Sequence, residues 1–161
     1  SQVGDNEALH RLAAAVLLAF PGVPCIYYGD EIGLADLPQL GARGCMVWDE
    51  RRWNRELLDF YRTLIGLRRR SPALQRGGFQ MLAVEPDSFA FQRATAAEHV
   101  LVIAHRGQQP RPAGPLPVAH GGVPDGARFT ELWSGQEAGV TDGMLPLAEQ
   151  PQGATIWIEQ R

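Results

Sequence analysis

The spacing of apolar residues changes at Phe79, and this change constrains the fold more than any other feature of the chain. Before it, apolar side chains recur every three or four residues; after it, they recur every two. From Asn54, a good cap, Leu57, Leu58, Tyr61, Leu64, Ile65 and Leu67 form one broad face of a helix reaching Arg70. Arg68, Arg69 and Arg70 complement the negative end of its dipole, and Ser71-Pro72 stops it. An earlier helix is capped by Asp5 or Asn6, presents Leu9, Leu12, Ala13, Val16, Leu17 and Phe20 on one face, and ends at Pro21-Gly22. Beyond Phe79 the strand candidates are Phe79–Leu82, Phe89–Gln92, Val100–Ile103, Phe129–Leu132, Met144–Leu147 and Thr155–Ile158. Pro86-Asp87, Ser134-Gly135 and Asp142-Gly143 supply turns, the last favouring a tight hairpin. Strands at such intervals indicate an antiparallel sandwich, so the class is α+β. The Pro- and Gly-rich span from Arg106 to Gly126 leaves room for at most one strand, near Leu116 to His120.

Between the two helices lies Pro21–Leu34, PGVPCIYYGDEIGL. Its apolar run Cys25-Ile26-Tyr27-Tyr28 is too short for a helix and is flanked by turn residues, which predicts a buried strand. Helix, short turn and buried strand in that order make the back half of a βα repeat. In barrels of parallel strands, the acidic pair Asp30-Glu31 after Gly29 would stand at the strand end that faces the active site.

Composition excludes more than it assigns. A net charge of −3 argues against nucleic acid or an anionic membrane surface as partner. All fifteen basic residues are arginine, which reads as a coding bias and a solvated helical face rather than an anion site. Cys25 and Cys45 have no C-x-x-C spacing, so reduced thiols in a cytoplasmic protein are expected. The chain contains no G-x-S-x-G, P-loop, H-E-x-x-H or dinucleotide fingerprint. His10, His99, His105 and His120 lack metal-ligand spacing, and no cluster of oxygen ligands suits calcium, so no metal or cofactor is expected.

PGVPCIYYGDEIGL, then Arg43-Gly44-Cys45-Met46-Val47-Trp48-Asp49, then Asn54 and ELLDFYRTLIGLRRRSPALQRGGF resemble, in register, the end of the α-amylase family, glycoside hydrolase family 13. The likeness is nearest to the maltodextrin glucosidase, neopullulanase and cyclomaltodextrinase group. It continues loosely through the β-rich half, where FTELWSGQ resembles a strand and turn of that family's C-terminal sandwich. The resemblance implies that residues 1–74 are the C-terminal remnant of a (β/α)8 barrel and 75–161 a β-sandwich domain. The first helix would be the barrel's seventh, Cys25–Tyr28 its eighth strand and Asn54–Arg70 its last helix. A whole barrel needs about 250 residues, so this chain cannot hold one. The family's nucleophile, acid/base and stabilising carboxylates would lie upstream, and no catalytic residue is carried over.

The same resemblance makes Asp30, Glu31 and Arg43 the expected rim of a cleft for α-glucan or maltooligosaccharide. The alternative is that Asp30 and Glu31 brace the loop and Arg43 makes a structural ion pair. Gly44-Cys45 departs from the residue-proline usual before Met46, which bears on the aim of Arg43. Tyr27 and Tyr28 are expected in the core, with Trp48 or Trp53 the better sugar platforms. The neopullulanase-like group is often dimeric, so a homodimer is among the expected assemblies. One parallel strand with two helices has nothing to pair with, so residues 1 to roughly 53 should be loosely held, rearranged, or buried against a second copy while the sandwich folds alone. Two functional classes remain open: the C-terminal portion of a retaining α-glycosidase, inactive by itself, or a non-catalytic carbohydrate-binding or interaction module.

Overall fold

A computed structural model describes residues 6–35 and 44–160. Helix α1 (Glu7–Ala19) begins where the Asn6 side chain accepts a hydrogen bond from Leu9 N at 3.1 Å. Helix α2 (Arg55–Arg70) begins in the same way, with Asn54 accepting from Leu57 N. Ser71 ends α2 and caps a further short helix, α3 (Pro72–Arg76), with Pro72 in its first turn. The spacing read Ser71-Pro72 only as a stop, because proline after a serine suits a helix start as well as an end.

Eight strands follow: β1 (Gly78–Val84), β2 (Ser88–Thr95), β3 (Glu98–His105), β4 (Gly114–Pro117), β5 (Arg128–Glu131), β6 (Glu137–Gly139), β7 (Met144–Leu147) and β8 (Gly153–Glu159). Six form an antiparallel sheet in the order β1-β2-β3-β8-β5-β6, faced by the pair β4-β7. All six candidate strands are present. The seventh, near Leu116, ends at Pro117 because a 3-10 turn takes Ala119–Gly121. Strand β6 carries the three residues Glu-Ala-Gly at a sheet edge and has no alternating pattern to betray it. The turn at Asp142-Gly143 has both residues at positive φ, 52° and 71°, with Thr141 and Met144 bonded across it at 3.0 Å. That is the backbone of a tight primed turn.

Strand β3 explains the layering. Val100 to Ala104 are all buried, as in a strand covered on both faces. Val100 and Val102, beside Ile158 and Ile156 on β8, face the helices and join Ala15, Leu18, Leu57, Leu64 and Leu74 in one core. Leu101 and Ile103 face the other way, joining Trp157, Phe129, Leu116 and Leu145 beneath β4-β7. The sandwich therefore has a third, helical layer. Helix α1 is docked rather than loose: Ala14, Ala15, Leu18 and Ala19 are buried against the sheet and α2. This is not the face expected from its spacing. Leu17 and Phe20 stand exposed, because the run Leu12–Ala19 is apolar without a break and the small alanines allow the closest approach to the sheet.

The layers are joined by polar and aromatic contacts. Arg93 of β2, only 2% exposed, donates to the carbonyls of Ala19, Leu74, Gly77 and Gly78. Burial, and then Arg68, push its pKa down, but the guanidinium satisfies the carbonyl ends of both α1 and α3. Arg68 does the same at the surface, donating to Leu18, Phe20 and Gly22 O. Buried Glu98 accepts from Ser71 Oγ and Ala73 N, both at 2.9 Å. Across the junction, Arg11 sits 5.3 Å over Phe60, which stacks on Trp133 at 4.9 Å and 10°.

Cys25–Tyr28 is not a buried strand. The segment forms no regular element and has no strand partner among the described residues, Cys25 is exposed, and Tyr27 and Tyr28 retain 50% and 44% of their surface. A lone parallel strand needs neighbours for its ladder, and the described residues place none beside it.

Candidate functional site

Two of the expected rim residues, Asp30 and Glu31, lie where this segment turns toward α2. Tyr27 O accepts from Asp30 N and opens the turn, and Gly29 O accepts from both Ile32 N and Leu34 N. Gly29 is at φ 91°, and a Cβ there would lie 2.8 Å from that of Leu34, so the position requires glycine. Ile32 is buried, and its carbonyl accepts from Asn54 N at 3.1 Å. The cap of α2 therefore also holds the turn. Asn54 further donates through Nδ2 to Glu7 Oε2 at 3.3 Å, tying in the first turn of α1. The sequence marked Asn54 only as a cap, since its other partners are set by tertiary structure.

Glu31 folds back on the turn, its Oε2 accepting from Gly29 N at 2.9 Å. Asp30 is exposed. Both carboxylates lie close enough to Tyr61 to raise its pKa, although burial of the ring is the larger cause and the phenol is pushed up to about 12. The Tyr61 hydroxyl also pairs with His10 Nε2 at 3.1 Å. Arg43, the third expected rim residue, lies outside the described residues.

Aromatic surface is more abundant than the sequence suggested. Tyr27 and Tyr28 lie against each other at 4.6 Å and 34°, half-exposed rather than in the core. The Tyr28 hydroxyl donates to Gly44 O at 2.9 Å, and hydrogen bonding with Tyr27 is the main reason its pKa is raised. Trp48 is 79% exposed. Trp53 is partly buried, its indole N–H donating to Val47 O at 2.7 Å and Arg55 lying over its ring. Beside this segment an open, mainly apolar groove of about 510 Å³ is lined by Leu18, Pro24, Ile26 and Ile65 together with Arg68, Arg69 and Gln75.

Among the described residues no group of three or more histidines, cysteines or acids could hold a metal ion. His10, His99, His105 and His120 each have a protein hydrogen-bond partner: Tyr61, Glu159, Gln109 and Met81. Nor is any helix among them long and apolar enough to cross a membrane. The turn can present carboxylate oxygens to hydroxyl groups beside an aromatic surface, a combination suited to polyhydroxy ligands.

Comparison with known proteins agrees with this architecture. The model of the neopullulanase-like C-terminal domain matches residues 79–158. Neopullulanase 2 of Thermoactinomyces vulgaris is 35% identical over 158 residues, 96% of this chain and 26% of that protein. A Bacillus cyclomaltodextrinase is 39% identical over 102 residues, 62% of this chain and 18% of its own length. The chain thus spans about a quarter or less of these relatives. An Anoxybacillus α-amylase structure superposes with a TM-score of 0.83 over 98% of this chain and 34% of its own, a likeness of fold at 24% identity. The chain therefore belongs with the C-terminal part of the α-amylase family, glycoside hydrolase family 13, and carries the neopullulanase-like C-terminal domain.

Proposed function

We propose that this chain is the C-terminal portion of a retaining α-glycosidase of carbohydrate metabolism that hydrolyses α-glucosidic bonds in maltooligosaccharides or related α-glucans. In this reading residues 1–74 are the end of a (β/α)8 barrel and 75–161 its C-terminal sandwich, with the paired carboxylates of the double displacement upstream. Asp30, Glu31 and Arg43 belong to the rim of the sugar cleft. Two exposed free thiols, Cys25 and Cys45, favour the cytoplasm.

The observation that carries the reading is the apolar segment Cys25–Tyr28, which has no strand partner among the described residues. Val23 is 96% exposed, Tyr27, Tyr28 and the Leu17 face of α1 are open, and an apolar groove runs alongside. Apolar side chains left open on and around the segment that links two helices call for further strands and helices to cover them. The test is turnover of a chromogenic α-glucoside and of maltotriose, by this chain and by the chain extended with its upstream sequence. Hydrolysis by the extended protein only is expected; turnover by this chain that survives repurification refutes the placement of catalysis upstream.

The exposed Tyr27–Tyr28 pair favours one second reading, a non-catalytic carbohydrate-binding module. Millimolar or tighter maltodextrin binding by this chain, with no hydrolysis in the extended protein, would establish it instead.

A further inference from the structure

On the face of the sheet turned away from the helices, a hollow of about 140 Å³ lies between β5, β8 and residues 147–151. Glu131 and Trp157 are partners across the β5–β8 ladder, so their side chains leave the same face, and Thr155 stands two residues earlier on it. The opposite wall is held where Gln150 N donates to Arg111 O at 3.0 Å and Gln150 O accepts from Arg111 N at 2.8 Å.

Three polar side chains in these walls are more than nine-tenths buried: Trp157 at 3%, Glu131 at 5% and Gln150 at 7% exposed. Each has a polar atom to spare. The Trp157 indole N–H has no hydrogen-bond partner among the described residues. Gln150 commits Nε2 to the carbonyls of Ile103 and Gly153, both at 3.3 Å, which leaves Oε1 as its group for the hollow. Glu131 Oε2 accepts from Trp133 N, Ser134 N and Ser134 Oγ at 2.7 to 3.0 Å, whereas Oε1 has only Ile156 N, at 3.4 Å. A buried donor without an acceptor is costly, and this one is kept beside two spare acceptors. The hollow is about ten times the roughly 10–15 Å³ that admits one water, so a single water does not fill it. Glu131 within and Glu149 at the exposed margin disfavour an anion, and an indole N–H, which offers no lone pair, disfavours a cation.

We propose that this hollow binds one neutral sugar unit, the end residue of a maltooligosaccharide, through hydroxyls that donate to Glu131 Oε1 and Gln150 Oε1 and accept from Trp157 Nε1. The choice of sugar rests on the proposed α-glycosidase reading; the demand for a neutral polyhydroxy ligand rests on the hollow alone.

The test is a titration of this chain with maltotriose, followed at the Trp157 indole N–H resonance by two-dimensional NMR. That resonance is expected to shift and to saturate at millimolar or lower maltotriose. Ala148→Phe, which fills the hollow from an exposed position, should abolish the response with the urea midpoint unchanged. Trp157→Phe keeps a ring and removes the donor, and should weaken binding by about threefold to tenfold in calorimetry, the worth of one hydrogen bond. A Trp157 resonance that stays still, or one from Trp48 that moves in its place, overturns the proposal and leaves ordered water in the hollow. Binding that survives Ala148→Phe overturns it too. Hydrolysis of maltotriose by the extended protein is scored separately: its failure sinks the α-glycosidase reading and not a binding response at Trp157, whereas hydrolysis with Trp157 silent sinks the hollow alone.

Discussion

Arg93 offers the sharpest test of how the helical layer is held to the sheet. Its guanidinium is buried, has no carboxylate partner among the described residues, and is satisfied by four carbonyl oxygens at 2.9 to 3.2 Å. Replacement by Met keeps an unbranched apolar stem of comparable reach and removes every donor. The Gly78 carbonyl is on an exposed residue and can take up water, as can that of half-buried Gly77. Those of Ala19 and Leu74 are on residues only 1% exposed and cannot. A buried acceptor left unpaired costs about 1–3 kcal/mol, so the two together cost about 2–6 kcal/mol, less what is regained by no longer desolvating a cation. A net loss of about 3 kcal/mol is expected, a large share of the roughly 5–15 kcal/mol of a typical domain. Arg93→Lys should lose a similar amount, because one ammonium cannot span the carbonyl ends of two helices. Urea unfolding followed by far-UV circular dichroism measures this as a fall in midpoint at constant m. A loss under about 1 kcal/mol for Met, or a silent Lys variant, would refute the claim that these carbonyls depend on the guanidinium.

Two further predictions follow from buried polar groups. Glu98→Ala strands Ser71 Oγ and Ala73 N and should cost about 2–4 kcal/mol by urea unfolding, while Glu98→Gln, which keeps an acceptor, should cost clearly less. The Tyr61 phenol is raised by burial, and then by Asp30 and Glu31, to about 12. Its unfolded value is about 10, so above that pH the unfolded chain releases a proton that the folded chain keeps. This contribution is full below about pH 10 and is lost as pH rises through about 12, roughly 2–3 kcal/mol in all. Urea midpoints measured across that range should fall with pH, and Tyr61→Phe should flatten the decline.

What the sequence showed and what it concealed have physical reasons. Strand β3 and helix α2 were legible because each carries an apolar pattern suited to its place: a short continuous run covered on both faces in one, a broad helical stripe in the other. The primed turn at Asp142-Gly143 was legible because few residue pairs tolerate two positive φ angles. Helix α1 was legible as a helix but not in its orientation, since the unbroken apolar run Leu12–Ala19 does not say which side meets the sheet. Arg93 shares the face of Phe89 and Phe91 in FAFQRAT, but a buried arginine there is explained only by the convergence of the α1 and α3 ends. Cys25–Tyr28 has the composition of a buried strand, but burial requires neighbours that composition cannot provide. Of the rim, the turn at Gly29 was visible, whereas the inward fold of Glu31 depends on a backbone bond two residues away.

The stack of Phe60 on Trp133 has an optical consequence. Of the four indoles, Trp48 stands in solvent, Trp53 is engaged with Val47 and Arg55, and Trp157 is sealed beneath β4-β7. Trp133 alone among them lies face to face with a helical ring from across the seam. Its emission therefore reports whether the helices are seated, and a Trp133-only variant would let that seating be watched in real time, separately from the melting of the strands.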